Sequence, residues 1–121
     1  MTTIKITTEK PEVAALLIDI MIEVERAEAK HPIWPTCHIK QIAIVAEEAG
    51  ELTREGNLID EGIGTFAQAR KEAIETAATC IRFLTRIKQT EEDFNQPAIT
   101  DYFNDPSHFM KSGMIEGGSD E

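Results

Sequence analysis

The chain has 121 residues, enough for one domain with one core and too few for two. Hydrophobic content is 41%, with one Trp, one Tyr and five Phe, which points to a core of Ala, Ile, Leu and Val, as in helical bundles. The net charge of −10 argues against duplex nucleic acid or an anionic membrane surface as the main partner.

That charge is uneven. Residues 91–121 carry eight acidic residues and one basic residue, so this tail holds −7 and the first ninety residues hold −3. No apolar run approaches the ~18 residues of a membrane span. MTTIKITTEK lacks the charged-then-apolar layout of a secretory leader. Cys37 and Cys80 lack metal spacing and read as free thiols of a reducing, cytoplasmic protein.

In chain order, Ile4-Lys5-Ile6-Thr7 suits a short extended lead-in, and Pro11 suits the first turn of a helix. Val13, Leu17, Ile20, Met21, Val24 and Ala27 then recur at helical spacing, and the helix should end near Lys30, before His31-Pro32-Ile33-Trp34-Pro35. Thr36 can cap a second helix. That helix is apolar on more than one face over Ile39–Ala46, which implies deep burial, and should run to about Glu55. Gly56-Asn57 and Gly62-Ile63-Gly64 predict a loop over 56–64. Thr65-Phe66-Ala67-Gln68 reads as a capping box opening a third helix, which should last to about Gln89. A short helix is possible near 99–104, and the last eight or so residues are expected to be disordered. The domain is therefore taken as 1–90, with 91–121 as an acidic tail.

The chemistry concentrates in two acidic segments. Glu47-Glu48-Ala49-Gly50-Glu51 lies in the second expected helix and Glu72-Ala73-Ile74-Glu75 in the third. Carboxylates three positions apart sit about 60° apart on a helix and project to one side. Packed antiparallel, the two helices would aim four carboxylates at one point, a charge density that calls for a cation. A hard divalent ion with oxygen ligands, Mg²⁺ or alternatively Mn²⁺, is the natural choice. An isolated EExxE is usually a solvated helix face. Here Ile44 leads the apolar stripe into Glu48 and Glu51, and Gly50 sits mid-helix at a cost of about 1 kcal/mol, which close approach of another backbone could offset. Thr76-Ala77-Ala78-Thr79 offers a small-residue packing surface.

EExxE followed after twenty residues by ExxE resembles the signature of the MazG-like, all-α nucleoside triphosphate pyrophosphohydrolases, over roughly residues 10–90. Ile44-Val45-Ala46, Ile81-Arg82-Phe83-Leu84 and the segment HPIWP add to the likeness. The resemblance implies an Mg²⁺-dependent enzyme that cuts nucleoside triphosphates to monophosphate and pyrophosphate. It makes Glu48, Glu51 and Glu72 metal ligands, with Glu75 where the family usually has Asp. That longer side chain moves the oxygens outward by about one carbon, and Mg²⁺ demands near-ideal geometry. Glu47 or Glu51 could take the proton of the attacking water. A dUTPase-like or phosphoribosyl-ATP-like specificity stays open.

Among basic residues, Arg82 and Lys40 fall near the acidic faces of their helices and are candidates for substrate phosphates, with a surface charge or an intrahelical ion pair as the alternative for each. Arg70 and Lys71 are expected to be solvated. Trp34 could stack on a base or plug the end of the bundle, the plug being favoured. His31, His38 and His108 lack ligand spacing. The expectation is an all-α antiparallel bundle of three main helices, completed by homo-oligomerisation into a homodimer or homotetramer. Its rival is a non-catalytic helical oligomer binding a metal, a nucleotide or a protein partner.

Overall fold

The computed structural model describes residue 3 and residues 5–96. They form three helices, α1 (Pro11–Lys30), α2 (His38–Asp60) and α3 (Phe66–Asn95), with no strand among the described residues. The chain divides into two compact units at Lys88, and of the second only the end of α3 and Gln96 are described. The short helix expected near 99–104 and the disordered end lie outside the described residues.

α1 begins and ends where its pattern predicts. Pro11 opens it, Glu12 lies in the first turn, and the N–H of His31 closes the last turn on the Ala27 carbonyl at 2.7 Å. Pro32 cannot extend it.

α2 departs from expectation at both ends. Cys37, not Thr36, stands at its N-cap, with no side-chain cap. The preceding loop is tied down from inside the helix instead, where Gln41, 1% exposed, donates from Nε2 to the Pro35 carbonyl at 2.8 Å. At the far end the helix passes through Gly56 and stops five residues later than expected. The stop is a Schellman motif: Gly62 takes φ +83, its N–H reaches the Ile59 carbonyl, and the Ile63 N–H reaches the Leu58 carbonyl, both at 3.0 Å.

α3 opens on half of the predicted capping box. Thr65 Oγ1 accepts from the Gln68 N–H at 3.0 Å. The Thr65 N–H is taken not by Gln68 but by Glu55 Oε2, reaching across from α2 at 3.0 Å. The helix then continues past Gln89 through Glu91-Glu92-Asp93, the start of the acidic tail.

Ion pairs fix the helix directions. Asp19 meets Arg70 at 3.1 Å and Glu28 meets Arg86 at 3.2 Å, so α1 and α3 run the same way. α2 runs against both, because Glu55 meets Thr65 at the start of α3 while Glu48 and Glu51, earlier on α2, meet Glu72 and Glu75 further along α3. The core is thin. Among the described residues of the first unit, Val24 and Ala78 are the buried apolar side chains, the latter inside the small-residue run of α3, alongside the polar Gln41, Glu55 and Arg82. The deep burial expected of α2 is not met among the described residues. Ile39 and Ile42 are 66% and 51% exposed, because two neighbouring helices cover only one side of a third.

Candidate metal centre

Glu48 and Glu51 on α2, and Glu72 and Glu75 on α3, each present a carboxylate oxygen, and the four atoms lie within 4.8 Å of one another. The three-residue spacing in each helix and the antiparallel pairing bring them together, as the sequence predicts.

Glu48 Oε1 and Glu72 Oε1 are shielded from solvent without a hydrogen-bond partner in the protein. Buried carboxylate oxygens normally find a partner, and its lack here leaves room for a cation. Burial, followed by the charges of Glu51, Glu75, Glu72 and Glu47, raises the Glu48 pKa above its ordinary 4.5. Glu51 is also raised, by desolvation first and then by Glu72. An all-carboxylate donor set fits a hard divalent cation and does not by itself select Mg²⁺ from Mn²⁺ or Ca²⁺.

The backbone and neighbouring side chains hold the set in place. Gln68 Nε2 donates to Glu72 Oε2 at 2.8 Å, and Lys71 Nζ lies 3.1 Å from Glu75 Oε2. Thr76 and Thr79 return their hydroxyls to the Glu72 and Glu75 carbonyls, both at 2.8 Å, so neither competes for the carboxylates. Gln68 and Lys71 each sit one turn before the glutamate they hold, at the four-residue spacing that marks such pairs in a helical sequence.

An open groove of about 1130 Å³ lies alongside, lined in part by Glu47, Glu48 and Glu75. Its cations are Arg26, Lys30, Arg70, Lys71 and Arg82. Arg82 is 6% exposed and donates to the His31 carbonyl at 2.7 Å. Its Nε, 3.8 Å from Glu28, has no hydrogen bond. Trp34 also lines the groove. The Arg82 and Arg86 guanidiniums stand 4.8 and 5.6 Å from its ring centroid, and its buried Nε1 has no partner.

The predicted residues thus separate. The four glutamates converge, Glu47 stands exposed at the groove rim, and Arg82 and Trp34 meet at one another. Lys40 is exposed and absent from the groove lining, eleven residues or about 16 Å along α2 from Glu51. Arg70 and Lys71, expected in solvent, are 59% and 63% exposed and pair with Asp19 and Glu75. A Cβ at Gly50 would meet nothing within 4 Å, so among the described residues no backbone outside its own helix approaches it.

Comparison with family models, with curated proteins and with solved structures yields no match for this chain.

Proposed function

We propose that this protein is a divalent-metal-dependent nucleoside triphosphate pyrophosphohydrolase of the MazG-like kind that its EExxE and ExxE segments resemble, acting on the cytoplasmic nucleotide pool as a sanitising enzyme. The observation that carries the reading is the convergence of Glu48, Glu51, Glu72 and Glu75 within 4.8 Å beside a groove large enough for a nucleotide.

Those four glutamates would hold Mg²⁺ or Mn²⁺. When bound, such an ion offsets phosphate charge and acidifies the attacking water. Arg26, Lys71 and Arg70 flank the cluster in the groove and suit the β- and γ-phosphates, which carry the charge of the leaving group. Arg82 and Trp34 line the same groove, where the half-buried Trp34 ring is the side chain suited to stack on a base. Glu47, exposed at the rim and outside the ligand set, is placed to take the water's proton. Water attacks the α-phosphorus, the bond from that phosphorus to the bridging oxygen breaks, and pyrophosphate leaves with the electron pair. Many large apolar side chains stay exposed, which supports a homodimer or homotetramer as the working form.

The engagement of Glu75 by Lys71 favours a second reading, a helical oligomer that binds metal or nucleotide without turnover. One assay separates them: pyrophosphate release from a panel of ribo- and deoxyribonucleoside triphosphates with Mg²⁺ or Mn²⁺. The enzyme shows turnover that Glu51→Gln abolishes. Absence of release from every nucleotide, with metal bound, sinks the catalytic reading.

A further inference from the structure

The side of α2 turned away from α1 and α3 has the composition of a packing surface and no partner among the described residues. Ile39, Ile42, Ala43, Ala46, Ala49 and Gly50 are all exposed on it. At about 100° per residue these six fall within about 120° of one another, so they form one continuous stripe. It is rimmed by Lys40, Glu47, Arg54 and Glu61, which follow one another at seven-residue intervals along one edge. A heptad row drifts only about 20° per repeat, so the four form a nearly straight line of charge. All four are exposed, and none makes an ion pair with another described residue.

The order of signs in that row, plus, minus, plus, minus, is its own complement when reversed. We infer that this face is a homodimer interface in which α2 packs antiparallel on α2 of a second copy, with the twofold axis passing between Gly50 and Glu51. Lys40 then meets the partner's Glu61, Glu47 meets the partner's Arg54, and each pair recurs by symmetry. A parallel pairing in the same register would set like charge beside like charge, so the row selects the antiparallel arrangement.

Two further features fit that register. Gly50 falls beside the axis, where the helices approach most closely. A mid-helix glycine costs about 1 kcal/mol relative to Ala, and no described residue of the protomer requires it, since a Cβ there would meet open space. Between two helices the missing side chain lets the backbones come together. At the ends, Ile39 is 66% exposed, and Ile63, just past the C-terminus of α2, is 71% exposed. Antiparallel pairing brings Ile39 against the partner's Ile63, covering both.

The dimer also changes the metal centre. Glu47 directly precedes the ligand Glu48, so the partner's Arg54 arrives at the edge of the carboxylate cluster. It supplies there a cation that Lys40, about 10 Å from Glu47 along its own helix, does not. This last consequence rests on the pyrophosphohydrolase reading, whereas the dimer itself does not.

The test is sedimentation velocity of the full chain over a concentration series, with circular dichroism beside it. The native protein should sediment at twice the protomer mass of 13.5 kDa. Gly50→Gln should retain full helicity, because the position is open within the protomer, and shift to 13.5 kDa. Arg54→Glu should weaken association at least tenfold, and Glu47→Arg combined with Arg54→Glu should restore it by exchanging the charges. A native protein of protomer mass throughout overturns the proposal. So does an assembly indifferent to both Gly50→Gln and Arg54→Glu, which would place the contact on another face. Because mass is the readout, failure of the dimer and failure of the hydrolase activity are recorded separately.

Discussion

Lys71 Nζ lies 3.1 Å from Glu75 Oε2, one turn apart on α3, so an ammonium sits on one of the four carboxylates that converge at the cluster. Lys71 and a divalent ion therefore draw on the same carboxylate. With Lys71 63% exposed, the pair contributes at most about 1 kcal/mol, roughly fivefold in a binding constant. Lys71→Met should tighten Mn²⁺ binding by about two- to fivefold on that ground, read by titration of the free-ion electron paramagnetic resonance signal. Unchanged affinity would mean that the lysine leaves Glu75 free in solution.

The cluster also fixes a pH dependence. Glu48 and Glu51 both hold protons more tightly folded than at their ordinary value of 4.5. The folded state then binds more protons than the unfolded state between the ordinary and the raised values, so stability falls as pH rises through that window. Metal-free protein should melt at a higher temperature near about pH 5 than at about pH 8. A divalent ion binds the ionised carboxylates and reverses the trend, stabilising most at high pH, by about 2.7 kcal/mol at a hundredfold excess over its dissociation constant. Glu51→Gln should flatten the metal-free curve and remove the stabilisation by metal. Thermal melts at several pH values, with chelator and with Mn²⁺, read both effects. A flat native curve in chelator would mean that the carboxylates do not crowd one another.

The site and the fold differ in how much of each the sequence displays. Four glutamates at three-residue spacing on two helices are a local pattern, and the antiparallel turn between the helices converts it into a cluster without further information. The end of α2 was hidden because Gly56 looks like a stop. One glycine costs only about 1 kcal/mol, which tertiary packing overrides, whereas Gly62 followed by Ile63 closes a Schellman motif. The α2 N-terminus was hidden for a different reason. Gln41 ties the loop down from within the helix, a long-range role that no capping rule describes. Burial failed most clearly at Ile39 and Ile42, since an apolar run fixes that a face suits packing and not which element covers it.

Cys37 and Cys80 should part company in reactivity. Cys37 is exposed at the N-terminus of α2, where the N–H groups of Lys40 and Ile39 favour its thiolate and lower its pKa. Cys80 is half-buried in α3. Limited alkylation with iodoacetamide, followed by peptide mass mapping, should label Cys37 first and several-fold faster. Preferential labelling of Cys80 would show that the start of α2 is not formed in solution.

Glu55 is the residue on which the α2–α3 connection turns. It is 7% exposed, and its Oε2 takes the Thr65 N–H at 3.0 Å. Gly64 makes room for this bond: a Cβ there would stand 2.6 Å from Glu55 Oε2 and 2.8 Å from the Ile59 backbone nitrogen. Glu55→Ala leaves a backbone donor unpaired and should cost about 1–3 kcal/mol. For a domain of this size each 1 kcal/mol lowers the melting midpoint by roughly 4–8 °C. Glu55→Gln keeps an acceptor oxygen of the same reach and should lose less than Glu55→Ala. Gly64→Ala should also destabilise, because the backbone nitrogen of Ile59 cannot give way as a flexible side chain can. Glu72 stands two turns after Thr65, so the Glu55→Ala protein, where still folded, should bind Mn²⁺ close to native affinity. Equal midpoints for Glu55→Ala and the native chain would show that the Thr65 N–H is satisfied without Glu55.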